Sequence, residues 1–241
     1  MGIFNIFKYA NPANFLNFCK KIFPFVVTLT IIFLGYGLFS GFFNSPKDYQ
    51  QGNLVRIMYV HVPSAWMALM IYSSIAIASC VFLINKHLLA NIYCKACSPI
   101  GACFTLIAII TGSIWGKPTW GTWWVWDARI TSMVILFFLY LGHISIYNFS
   151  GNTNRAGQAA SILAILGFIN IPIIKFSVDW WNTLHQPASV IKLSGPTIHS
   201  SMLIPLLITA LGFFFYFILV LIIRIRSEII NEKIQNFNLM K

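Results

Sequence analysis

Two histidines stand in polar stretches between apolar runs: His61, in YVHVP, and His185, in WWNTLH. Imidazole nitrogens coordinate metals and carry protons. Between the two in sequence lies WGKPTWGTWWVW, residues 115–126, which holds five of the chain's eight tryptophans: Trp115, Trp120, Trp123, Trp124 and Trp126. An indole offers a broad apolar face and one N–H that wants a partner, so several together suit a flat apolar ligand. Asp127 and Arg129 follow directly. Arg129 presents a planar fork suited to a carboxylate. For Asp127 two roles stay open: a cap on the next helix, where free N–H groups await an acceptor, or a ligand contact. His199 also faces the same side. His143 lies inside an apolar run and is expected to hydrogen-bond to a neighbouring helix. His87 reads as a surface residue.

These residues must be positioned by elements that live in lipid. Of the 241 residues 58% are hydrophobic and 9% charged, far below the roughly 25% charged of soluble domains. Six apolar runs reach the about 17–25 residues that cross a bilayer, near 22–43, 63–84, 98–115, 128–149, 159–176 and 201–223. The expected fold is an all-α integral membrane protein, one polytopic domain of six transmembrane helices with an external tryptophan-rich segment at 115–129. The first run follows Lys20 and Lys21, like a signal sequence, but is too long for a signal core and reads as retained. Pro63 suits the first turn of the second helix. Gly116 and Gly121 permit tight turns, and Lys117 before Pro118 is biased towards extended backbone. If the stretch from Trp120 is helical, Trp120, Trp123, Trp124 and Asp127 share a face. Beyond Arg226 a polar tail forms a short helix or stays irregular.

The net charge of +11 does not indicate nucleic acid, because the positive residues sit in short stretches between spans, where they act as topology signals and headgroup contacts. They favour the side that holds the termini, which places both termini in the cytoplasm and the tryptophans outside. Five cysteines, none in an outer connection, exclude a disulfide framework. Cys94 and Cys97 form a CxxC without the following histidine of a covalent haem site.

Tryptophan also marks the two membrane interfaces, but here all eight fall on one half of the protein. Three readings remain from the residues: haem, held by indoles and by imidazoles on its iron, with Arg129, Arg56 or Lys117 meeting its carboxylates; a quinone or lipid; and a structural aromatic belt.

The stretch from Trp115 to Arg129 resembles the tryptophan-rich signature of the haem-handling membrane proteins of cytochrome c biogenesis, and within them the haem exporter protein C family. DYQQGN (48–53) leading into RIMYVHVP (56–63), TGS (111–113) and SVDWWNTLHQ (177–186) agree with it, as do the number and order of spans. The resemblance implies haem b, held non-covalently at the outer face by the tryptophan segment, with His61 and His185 as iron ligands. It implies a haem-presenting or lyase-like component rather than a conventional enzyme. The implied partners are membrane lipid, a membrane-anchored haem chaperone and ABC transporter subunits, in a bacterial inner membrane or a mitochondrial inner membrane. The alternative is a transporter of haem or another solute. Against it, the span cores lack charge, no phosphate-binding loop is present, and only His143 and the Asn170-Ile171-Pro172 break suggest anything internal.

Overall fold

The computed structural model describes residues 10–149, 153–187, 189–190, 192 and 195–239. Among them the regular elements are helices, seven of them α-helices. They are α1 (Pro12–Phe39), α2 (Met58–Asn85), α3 (Leu88–Trp120), α4 (Ala128–Phe149), α5 (Thr153–Gly167), α6 (Asn170–Trp180) and α7 (Ser200–Leu239). Taken with α5 and α6 as one interrupted span, six segments are long and apolar enough to cross a membrane. The chain is therefore a multi-pass α-helical membrane protein.

Several helices run past the expected spans. A helix of 33 residues such as α3 is roughly 50 Å long, against about 30 Å of hydrocarbon, so its ends stand among headgroups. α2 is preceded by a 3-10 turn, Asn53–Ile57, so Pro63 lies inside the helix rather than in its first turn, and His61 belongs to α2 rather than to a connection. The tail beyond Arg226 continues α7. The fifth span breaks at Phe168–Ile169. Pro172 has no N–H to give the Phe168 carbonyl, and the Ile171 N–H takes that acceptor instead at 3.0 Å, in a tighter turn. Asn170 then ties the start of α6 to α4 by donating to the Ser132 carbonyl at 2.8 Å.

Several polar side chains in the spans bond to backbone of their own helix, which suits a lipid surrounding. Thr30, Ser98, Thr105 and Thr209 each donate to the carbonyl four residues back. The core gathers Ile71, Tyr72, Ile75, Leu136 and Tyr140, all without exposed surface, and the Tyr140 hydroxyl donates to the Ala68 carbonyl at 2.7 Å. His143 bonds to Ser98 of α3 through Nδ1 at 2.6 Å, the neighbouring-helix contact expected of it. Cys94 and Cys97 are fully buried in α3.

α2 packs most extensively on α3, and α1 on α7. The α1–α7 crossing is close because small residues face backbone. A Cβ at Gly37 would lie 2.7 Å from the Thr209 nitrogen, and one at Gly212 would lie 2.7 Å from Leu34 Cα. Neither backbone can yield without parting the helices. Gly212→Val is expected to cost about 1–3 kcal/mol as an overpacked contact, read as a lower unfolding temperature of the detergent-purified protein, while Gly35→Val, where a Cβ meets nothing within 4 Å, leaves that temperature near the parent value.

Candidate functional site

The site forms where the segments 45–57, 121–127 and 181–187 meet at one end of the bundle, around the last turns of α3. α3 does not stop at Gly116. It continues through Lys117 and Pro118 and ends at Trp120, where Gly121 takes φ 80° and returns its N–H to the Lys117 carbonyl at 3.0 Å. The expected extended backbone at Lys117 is absent because the helix is retained through the proline. Gly116 serves close approach rather than a turn: a Cβ there would meet the Trp120 ring at 3.0 Å. Residues 121–127 are irregular, so Trp120, Trp123, Trp124 and Asp127 do not share a helical face.

His61 points from α2 onto α3. Its Nδ1 lies 3.0 Å from the Ala108 carbonyl and 3.1 Å from Thr111 Oγ1. The Thr111 hydroxyl spends its own proton on the Ile107 carbonyl at 2.6 Å. Nδ1 must therefore carry the imidazole proton, and Nε2 keeps its lone pair. Trp115 stands edge-on to the ring, with centroids 5.7 Å apart and an interplanar angle of 80°.

His185 reaches the same state by another route. Its Nδ1 donates to Asp127 Oδ2 at 2.9 Å, which again leaves Nε2 free. Asp127 Oδ1 accepts the Ile130 N–H at 2.7 Å and caps α4. One carboxylate thus does both things: it is a helix cap and a histidine holder. Trp120 lies against His185 at 4.8 Å. The two histidines share one end of the bundle, each beside an indole of α3, and lie within electrostatic reach of each other.

His199 is different. Its Nδ1 lies 3.3 Å from the Ser201 N–H, which it accepts, and its carbonyl accepts from Met202 and Leu203. It caps α7, and with Nδ1 accepting from Ser201 the ring N–H is the one on Nε2.

The remaining tryptophans divide. Trp123 and Trp126 are exposed. Trp124 packs against Trp126 at 5.3 Å, and its buried Nε1 has no partner among the described residues. Arg129 does not extend freely. Its Nε donates to Ser177 Oγ at 3.1 Å and Nη2 approaches the Lys175 carbonyl at 3.4 Å, so it holds the last turns of α6. Arg56 Nη2 donates to the Ser45 carbonyl at 3.1 Å, while its Nε is buried without a partner among the described residues. An open cleft of about 300 Å³ lined by Trp126, Asp127, Asn182, Thr183 and Leu184 flanks the His185 side. A smaller apolar one of about 160 Å³, lined by Phe42, Val60 and Thr111 among others, flanks the His61 side.

Sequence reasoning singled out Asp127, which holds His185, but missed the residues that hold His61. Ala108 acts through its carbonyl, which no side-chain pattern reports. Thr111 lay in the TGS stretch, whose likeness to the family gave its hydroxyl no role.

Fold and site together define a polytopic α-helical membrane protein carrying two Nε2-free imidazoles beside indoles at one end. The chain matches the family described as Heme exporter protein C over residues 5–240. It is 45% identical over 232 residues, 96% of this chain and 88% of the other, to a heme exporter protein C of Bradyrhizobium diazoefficiens. It is 42% identical over 223 residues, 92% of this chain and 90% of the other, to that of Escherichia coli K12. A ccmC-like mitochondrial protein of cytochrome c biosynthesis from Marchantia polymorpha is 54% identical over 171 residues, 71% of this chain and 72% of its own. The chain belongs to the heme exporter protein C family.

Burial pushes the His185 pKa below its usual 6.5, and the Asp127 carboxylate draws it partly back up. A lowered histidine pKa means that the unfolded chain binds the proton more readily than the folded one. The contribution of this ring to stability is then complete above pH 6.5 and lost as pH falls through the folded value. In an NMR titration the His185 midpoint is expected below 6.5, and lower still in Asp127→Asn. A midpoint above 6.5 in the parent would contradict the burial argument.

Proposed function

We propose that this protein holds haem b non-covalently at its tryptophan-bearing end and presents it for cytochrome c maturation. The observation that carries the reading is the matched state of His61 and His185: each Nδ1 is committed to an acceptor and each Nε2 is free. Histidines that ligate metals nearly always give their other N–H to a carboxylate or carbonyl, which fixes the ring and the tautomer. Haem, when bound, would supply an iron that takes imidazole nitrogens and a broad apolar ring with two carboxylates.

The residues present suit that group. His61 and His185 would hold the iron through Nε2. Trp115 and Trp120 support the two imidazoles, and Trp123, Trp124 and Trp126 supply apolar surface around them. The partnerless Trp124 Nε1–H and Arg56 Nε–H are buried donors that a carboxylate would satisfy. Arg129 adds positive charge next to Asp127. Asp127 orients His185 rather than touching iron. His199, protonated on Nε2, stays outside the ligand set.

In this reading the tryptophan segment is external, the termini are cytoplasmic, and the membrane is a bacterial inner membrane or a mitochondrial inner membrane. The positive residues gathered at the terminal end support that orientation. The receiving partner is a membrane-anchored haem chaperone that bonds the porphyrin covalently, and ABC transporter subunits release the loaded chaperone. Both follow from the family, as does the role of lipid around the exposed indoles.

The test is a visible spectrum of the purified protein. The parent should show six-coordinate haem. His61→Ala and His185→Ala should each lose that signature and retain roughly tenfold less haem or lower, at least the effect of removing a group that only supports a ligand. Parent spectra in both variants would end the two-histidine reading.

A further inference from the structure

The connection between α1 and α2 is more tightly built than a link between two spans requires. Asp48 closes it: its Oδ1 accepts the N–H groups of Gln50 at 2.9 Å and Gln51 at 2.8 Å. Asp48 and Gly52 exchange two backbone bonds, at 3.1 and 2.9 Å. Gly52 takes φ +59° with ψ −131°, a conformation side chains disfavour. The Leu54 N–H then returns to the Gln51 carbonyl at 3.1 Å, and Arg56 clamps the base of the loop on the Ser45 carbonyl. Gln51 is thus fixed at both its N–H and its carbonyl.

What this turn presents is the Gln51 carboxamide. Its Oε1 accepts the Trp115 Nε1–H at 2.8 Å, from a helix 64 residues further along the chain. Trp115 is half-buried beside Val55, Met58 and Tyr59, and stands edge-on to His61. The bonds on Nδ1 fix the tautomer of His61 but leave the ring free to rock about that nitrogen. Two neighbours limit the rocking. One is Gly112, where a Cβ would lie 2.9 Å from His61 Cε1. The other is the Trp115 indole.

We propose that Gln51 is a positioning residue: its carboxamide locks the Trp115 indole, and through it holds the His61 imidazole in the orientation that offers Nε2 to iron. This rests on the haem reading above. Gln51 touches neither histidine. Its part is to make an indole that could turn into a fixed wall, and the Asp48-closed turn exists to deliver it.

The test compares Gln51→Leu, which keeps the size and removes the acceptor, with Gln51→Glu, which restores an acceptor oxygen. The first measurement needs no haem. In protein with ¹⁵N-labelled indoles, the Trp115 Nε1–H resonance is assigned by its loss in Trp115→Phe. Its exchange with solvent should quicken roughly fivefold in Gln51→Leu, the worth of one ordinary hydrogen bond, and return towards the parent rate in Gln51→Glu. The other indole resonances should stay in place, which certifies the fold. The second measurement is the haem spectrum and retention, expected to change in Gln51→Leu and recover in Gln51→Glu. Parent-like indole exchange in Gln51→Leu overturns the proposal, as does a quickened exchange with an unaltered haem spectrum. A parent that takes up no haem sinks the haem reading itself, and this proposal with it, and is told apart because the parent then gives no spectrum at all.

Discussion

A polar group in hydrocarbon has only the protein to bond with, and that constraint decides how this molecule can display a free nitrogen. An imidazole left to itself at a membrane surface samples both tautomers and many rotamers. Here each of two rings is pinned through Nδ1 by an acceptor that the protein supplies. For His61 the acceptor is the Ala108 carbonyl of a neighbouring helix, with Thr111 beside it. For His185 it is the second oxygen of a carboxylate already engaged as a cap. The free Nε2 atoms are the remainder of that accounting.

α3 is the spine on which the arrangement hangs. Ala108, Thr111, Gly112, Trp115, Gly116 and Trp120 all belong to its last turns, and they meet His61 on one side and His185 on the other. The helix has to persist through Pro118 for Trp115 and Trp120 to keep their relation. It then has to stop abruptly, so that the chain returns in time for Asp127 to start α4. The left-handed glycine at 121 supplies the stop. The three remaining tryptophans follow it on irregular backbone, where their indoles are not bound by helical spacing.

How much of this was legible in the sequence depends on what kind of signal carried it. The spans were, because apolar length in lipid is a coarse property. The interruption at Asn170-Ile171-Pro172 was visible as a break, since proline removes a donor wherever it stands. The end of α3 was not: glycine and proline at 116–118 are local turn signals, and the helix overrides them. Asp127 could be read as a cap or as a ligand contact, because one residue type serves both, and only the structure shows its two oxygens divided between a cap and a histidine. His61, His185 and His199 look alike in sequence. What separates them is the proton each ring carries, which depends on acceptors and donors contributed from elsewhere in the fold.

The glycine-mediated seam between α1 and α7 bears on how the chain is made. α1 packs extensively on α7, which is synthesised only after α2 to α6. A ribosome therefore releases α1 into the bilayer long before its mate exists. Until then α1 must persist as a solitary hydrophobic rod, kept there by lipid alone. Closure of this seam waits until α7 has entered the bilayer, so α1 and α7 act as the clasp of a belt whose middle is already fastened.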